Sequence, residues 1–78
     1  MKTTTITRGT TNITVVSTEI ARKLFHDSPL VMTANAYVEP MLAIEEIDGQ
    51  IRSVRPLPLV VAETLVARAK AAGLQVEE

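Results

Sequence analysis

Glycine and proline divide this chain into short segments, and their positions limit the fold more than any other feature of the sequence. There are three glycines and four prolines: Gly9, Pro29, Pro40, Gly49, Pro56, Pro58 and Gly73. Gly9 and Gly49 lie in the dipeptides Gly9-Thr10 and Asp48-Gly49, which are typical two-residue hairpin turns. Gly73 follows a run of helix-forming residues, where glycine commonly ends a helix. The pattern predicts short strands and short helices, with every glycine occupied by a structural role.

The size and composition indicate one small domain with an aliphatic interior. We expect the domain to span residues 1–78 of this 78-residue chain. Hydrophobic residues make up 46% of the chain but aromatic residues only 3%, so Ile, Leu, Val, Met and Ala must fill the core. A small core without disulfide bonds is marginal, because the chain has no cysteine. Two outcomes fit, a well-packed aliphatic monomer or an oligomer that completes its core across an interface, and the small volume of aliphatic side chains favours a homodimer.

The first third of the chain predicts a hairpin and a helix. Threonine is abundant among the first eighteen residues and favours strands, which we place at roughly 3–8 and 11–16. The Gly9-Thr10 turn would set Ile6 opposite Ile13, an apolar cross-strand pair. Ser17 or Thr18 then caps a helix that stops near Asp27.

The remainder predicts a strand, a second hairpin and a second helix. Loose alternation over 30–38 favours a strand, and a hairpin of 41–47 with 51–55 follows around Asp48-Gly49. The turn dipeptide and the apolar pattern disagree by one residue about the register, which stays open. A helix over 59–72 precedes Gly73, and residues 74–76 either add a short strand or fray.

These elements predict an α+β fold with the order ββα-βββα. We expect an antiparallel sheet of about five strands, with two helices laid on one face.

No residue pattern points to catalysis, a cofactor or a metal site, so we expect a protein that is not an enzyme. The glycines are too far apart for a phosphate-binding loop, and the single His26 leaves no zinc cluster. His26-Asp27-Ser28 has the residue types of a hydrolytic triad, but consecutive side chains cannot converge. Glu45 and Glu46 point to opposite faces of a strand and cannot act together on one substrate.

Charge is segregated along the chain although its formal net charge is only −1. The segment from Asp27 to Asp48, with both ends counted, has five acidic residues and no Lys or Arg. If they gather on the second hairpin, they form a negative surface that could dock on a basic one. The alternative is an ordinary solvated edge. The partner-binding hypothesis rests on these residues: Glu39, Glu45, Glu46 and Asp48.

The best class of function is therefore a non-catalytic binding protein, a small inhibitor or modulator that acts by protein–protein contact. Its expected partner is a larger protein or complex, such as one with a basic nucleic-acid-binding surface. In size and composition the chain resembles the inhibitors that phages encode against host defence complexes, including anti-CRISPR inhibitors. The alternative is a small dimeric nucleic-acid-binding regulator, whose phosphate contacts would be Lys2, Arg8, Arg22 and Lys23.

The expected cellular compartment rests on two features that the sequence does not show, a secretory signal and a membrane-spanning segment. The first residues carry no secretory signal, and the longest apolar run, 57–62, contains Pro58 and is too short to span a membrane. We expect a cytoplasmic protein without a membrane partner.

Overall fold

A computed structural model of the chain describes residues 3–34 and 38–78. The elements in chain order are β1 (Thr4–Arg8), β2 (Thr11–Ser17), α1 (Thr18–Leu24), α2 (Pro29–Ala34), β3 (Met41–Ile47), β4 (Gln50–Leu57), α3 (Leu59–Ala71) and β5 (Gln75–Glu77). The strands form one antiparallel sheet in the order β4-β3-β2-β1-β5. The predicted α+β class and five-stranded antiparallel sheet are confirmed. None of the helices in the described part is long and apolar enough to cross a membrane.

The first hairpin has the predicted turn and register. Gly9 has a φ of 61°, which the first central position of a type II′ turn requires. Arg8 pairs with Thr11 beside the turn, and Ile6 pairs with Ile13 further along. The short loop and the apolar pair agree, so this register could be predicted from local sequence.

The second hairpin has the turn that the Asp48-Gly49 dipeptide predicts. Asp48 and Gly49 have φ angles of 51° and 79° and form a two-residue turn that pairs Ile47 with Gln50. Both central residues of a type I′ turn need positive φ, which explains the Asp-Gly dipeptide.

A β-bulge then corrects the register of the apolar side chains. The pairing shifts between Glu45 and Glu46, where β4 contributes Arg52 as one extra residue. Beyond the bulge, Ile44 pairs with Val54, as the apolar pattern predicted. The turn chemistry was right, and the apolar pattern was right beyond the bulge but wrong beside the turn, where Ile47 pairs with Gln50 and not with Ile51.

The prediction that both main helices lie on one face of the sheet was wrong. Val15 and Val16 are adjacent on β2 and both are fully buried, although consecutive strand residues point to opposite faces. Val15 packs with Ala62 and Val66 of α3, whereas Val16 packs with Ala21 of α1 and residues of α2. Helix α3 therefore covers one face of the sheet, and α1 with α2 covers part of the other.

The physical reason for the two covered faces is visible in β3. Four consecutive residues, Met41–Ile44, are all buried. A continuous apolar run of this kind is typical of a strand that is buried on both faces, whereas alternation indicates a sheet with one wet face. The run and the Val15-Val16 pair were the signals for helices on both sides.

The predicted strand over 30–38 was also wrong, because residues 29–34 form helix α2. Pro29 is its first residue, a position that proline favours. The Val31 N–H donates to Ser28 Oγ at 3.4 Å, which helps to cap the helix. Val31 and Ala34 are buried three residues apart on one helical face. Residues 35–37 of the predicted strand lie outside the described residues.

The helix ends follow local chemistry. The Ile20 N–H donates to Ser17 Oγ at 3.1 Å, so Ser17 caps α1, which ends at Leu24 rather than near Asp27. Gly73, with a φ of 78°, follows α3, and the Leu74 N–H donates to the Ala69 carbonyl oxygen at 3.0 Å. This glycine turn lets the chain enter β5. Strand β5 therefore supplies the fifth strand in place of 30–38.

Candidate partner-binding surface

The four acidic residues of the partner-binding hypothesis do not form one surface. Glu39 precedes β3 and Asp48 lies in the turn after it, so about 20 Å of strand separates them. Glu45 and Glu46 are neighbours on β3 and point to opposite faces of the sheet. The clustering of acids in the sequence reflects their place in the chain and not a shared patch.

The alternative phosphate-binding residues are also divided. Arg8 pairs with Thr11, and its side chain lies on the α3 face together with Ile13. Arg22 and Lys23 lie in the last turn of α1, which covers the opposite face. Lys2 is outside the described residues. No single face therefore presents the described members of this set to a nucleic-acid backbone.

Residues 3–34 and 38–78 also lack a cluster of side chains that is typical of a metal site. No group of three or more His, Cys, Asp or Glu side chains there is arranged to hold a metal ion. Ser28 is engaged in capping α2, as described above. Ser53 Oγ donates to Glu45 Oε1 at 3.3 Å, a contact within the sheet surface.

The most distinctive surface feature is the free edge of β4. This strand has eight residues and pairs only with β3, so its outer edge has no neighbouring strand in the described part of the chain. The opposite edge, β5, has only three residues. A long free edge presents backbone N–H and C=O groups that can pair with another chain.

Pro56 shows which backbone groups of β4 point outwards. It pairs with Leu42 but has no N–H to donate, so its backbone faces away from β3. Antiparallel pairs alternate between bonded and non-bonded positions. By this alternation, Val54 directs both its N–H and its C=O outwards, whereas Arg55, opposite Ala43, is bonded to β3.

A groove runs between helix α2 and this edge. It consists of two depressions of about 280 Å³ and about 610 Å³ that share Val54 and Pro56. We call it the α2–β4 groove, and its lining residues are Pro29, Leu30, Thr33, Ala34, Val38, Glu39, Val54 and Pro56. Glu39 is the only residue in this lining with an ionisable side chain.

Apolar side chains of this groove are open to solvent. Leu30 is 48% exposed and Val38 is fully exposed. Leu24, at the end of neighbouring helix α1, is 59% exposed. Single exposed apolar residues are common on protein surfaces, but Leu30 and Val38 line adjoining parts of one groove, and such groups mark interaction sites.

The other side of β4 places charged side chains beside apolar ones. A depression of about 260 Å³ lies on the α3 face and is lined by Ile13, Ala43, Glu45, Ser53, Arg55 and Leu65. Arg55 is exposed there, and so is Arg52 at the bulge. The only ion pair within residues 3–34 and 38–78 joins Lys70 Nζ to Glu78 Oε1 at 2.9 Å. Neither arginine therefore has a described carboxylate within 4.0 Å.

Comparison with known protein families, curated proteins and solved structures finds no match for this chain. The candidate surface therefore rests on geometry alone. Sequence reasoning placed it on the acidic residues and missed the α2–β4 groove. One signal was available, because proline inside a strand favours an edge position, as at Pro56.

Proposed function

We propose that this chain is a non-catalytic protein-binding module, and that it acts as an inhibitor or modulator by occupying the surface of a larger protein. The α2–β4 groove is its contact surface. The observation that carries this proposal is a solvent-exposed groove, apolar where α2 lines it, beside a long free strand edge.

The energetic argument concerns side chains that remain open to water in the free chain. Covering a Leu or Val side chain stabilises a complex by about 1.5–3 kcal/mol when burial is complete. Leu30 and Val38 are exposed apolar members of the groove, while Val54 and Pro56 are half-buried and form its wall. A partner that covers these residues gains apolar contact without unfolding any part of the described fold.

The charge of β4 favours a different protein as the partner over a second copy joined edge to edge. Two antiparallel β4 strands would bring Arg52 and Arg55 of both copies close together, and like charges on facing strands are destabilising. Dimerisation through another face stays a prediction. The same holds for the likeness to phage-encoded inhibitors, for the basic surface on the partner and for the cytoplasmic location.

The nucleic-acid alternative has less support, because its described basic residues lie on opposite faces of the sheet. Phosphate binding needs several cations along one surface.

Replacing Leu30 by aspartate is expected to weaken partner binding at least tenfold, since the charge enters an apolar contact. Full-length chain immobilised on a resin is exposed to extract of its native cells. The dissociation constant of the retained protein is then measured with purified components. The matched control is Val60→Asp, which places the same charge at a 70% exposed apolar site on α3, on the other face of the sheet.

The expected result is one partner that binds the wild-type chain and Val60→Asp equally and Leu30→Asp poorly. Retention of that partner by Leu30→Asp with unchanged affinity would place the contact elsewhere. Failure of the wild-type chain to retain any protein would contradict the function itself. Circular dichroism of each variant checks that the fold is intact.

A further inference from the structure

We infer that the partner binds β4 by adding a strand to its free edge, and that this strand presents alternating apolar and acidic side chains. The inference rests on the proposed function and specifies the chemistry of the ligand at the same surface. In strand addition, main-chain hydrogen bonds supply affinity and pockets for alternate side chains supply specificity.

The backbone of β4 can accept such a strand. Val54 directs one donor and one acceptor outwards, and Pro56 adds an acceptor, by the alternation derived above. Pro56 also removes one donor, so pairing is incomplete at that end of β4. An edge of this kind discourages indiscriminate pairing and gives more weight to side-chain recognition.

The side chains of β4 differ on its two faces. Val54 and Pro56 line the α2–β4 groove, whereas Ser53 and the charged Arg55 line the depression on the α3 face. Residues of an added strand would alternate between these faces in the same way. One set would enter the apolar groove and meet Leu30, while the other would lie beside Arg55.

The positive charge of the β4 edge favours acidic residues in the added strand on the side of Arg55. Arg52 and Arg55 are exposed on β4 and have no described carboxylate partner. Glu45 lines the same depression as Arg55 but accepts a hydrogen bond from Ser53. A carboxylate opposite Arg55 would form an inter-strand ion pair, whereas a lysine there would be repelled.

Synthetic peptides test this chemistry directly. The probe is a capped, labelled peptide of about seven residues in which Glu and Val alternate, long enough to cover most of β4. Two matched peptides serve as controls: one has Lys in place of every Glu, and the other has the same residues in blocks. Fluorescence anisotropy gives the affinities, and amide chemical shifts of the labelled protein locate the site.

We expect the alternating acidic peptide to bind at least tenfold more tightly than either control, with shifts centred on Val54, Arg55 and Leu30. Arg55→Glu should reverse the preference between the Glu and Lys peptides. Equal affinity for all three peptides, no binding, or shifts centred away from β4 would overturn the inference.

Val54→Pro isolates the backbone contribution. Its outward N–H is lost while the pairing of β4 with β3 is retained, so binding of the acidic peptide should fall at least tenfold. Val54→Thr has a similar shape and keeps the N–H, so its affinity should stay within about threefold of wild type. If Val54→Pro does not fold, the reversal by Arg55→Glu decides the question.

The outcomes separate this inference from the proposed function. If the native partner is lost on Leu30→Asp but the acidic peptide does not bind, the groove is the contact surface and strand addition is wrong. If the peptide binds at β4 but the wild-type chain retains no partner, the edge accepts strands and the proposed function is wrong.

Discussion

An aspartate at either Val15 or Val16 is expected to unfold the chain. Both valines are fully buried, one against α3 and the other against α1 and α2. A buried carboxylate without a partner costs several kcal/mol whether it is charged or takes up a proton. A domain of this length has a total stability of about 4–12 kcal/mol, so either change should remove most of the folded population.

The measurement is chemical denaturation followed by circular dichroism, with Val60→Asp as the matched control. Val60 is 70% exposed, and the same substitution there should change the free energy of unfolding by no more than about 0.5 kcal/mol. A sheet covered on one face would tolerate aspartate at one of the two adjacent valines. Near-wild-type stability of either variant would therefore contradict the two-sided core.

Leu42→Ala is expected to lower the free energy of unfolding by about 2–5 kcal/mol. Leu42 is fully buried in β3, in the cluster that joins the sheet to α1 and α2, and its removal leaves a cavity there. The midpoint of urea denaturation should fall without a large change in the slope of the transition.

Leu24→Ala is the control for this effect, because Leu24 is 59% exposed and the same atoms are removed. Its expected cost is below about 1 kcal/mol. Similar losses from both variants would mean that the interior of the α1–α2 side is not centred on Leu42.

Local sequence predicts the hairpins well because their information lies within a few residues. Gly9-Thr10 and the Ile6–Ile13 pair indicate the same register, and the structure has it. The second hairpin combines its two-residue turn with the Ile44–Val54 pair through a bulge at Arg52. No rule of local sequence specifies such a bulge, which explains why that register stayed open.

The sequence-based predictions were wrong where tertiary packing determines the secondary structure and the placement of the helices. Ser28-Pro29 is a sound helix start, but α2 has only six residues, and the loose alternation after it resembles a strand. The buried run Met41–Ile44 indicates a sheet covered on both faces, whereas alternation would indicate one wet face. The helix placement follows from that run.

The candidate surface depends on sheet order, which the sequence does not state. Whether β4 is an edge strand depends on β5 joining β1 at the far side of the sheet. Pro56 favours an edge position for β4, yet nothing local reveals that α2 forms a groove beside it. The acidic residues are prominent in the sequence because no Lys or Arg separates them. In the fold, the geometry of β3 places them at different ends and on different faces.

Amide hydrogen exchange of the complex with its native partner tests the central claim most directly. If the α2–β4 groove and the edge of β4 form the contact surface, exchange at the outward N–H of Val54 should slow strongly on binding. Exchange at β5, on the opposite edge, should be unchanged. Unaltered exchange at Val54, with protection at Gln75–Glu77 or on the exposed face of α3, would contradict the account.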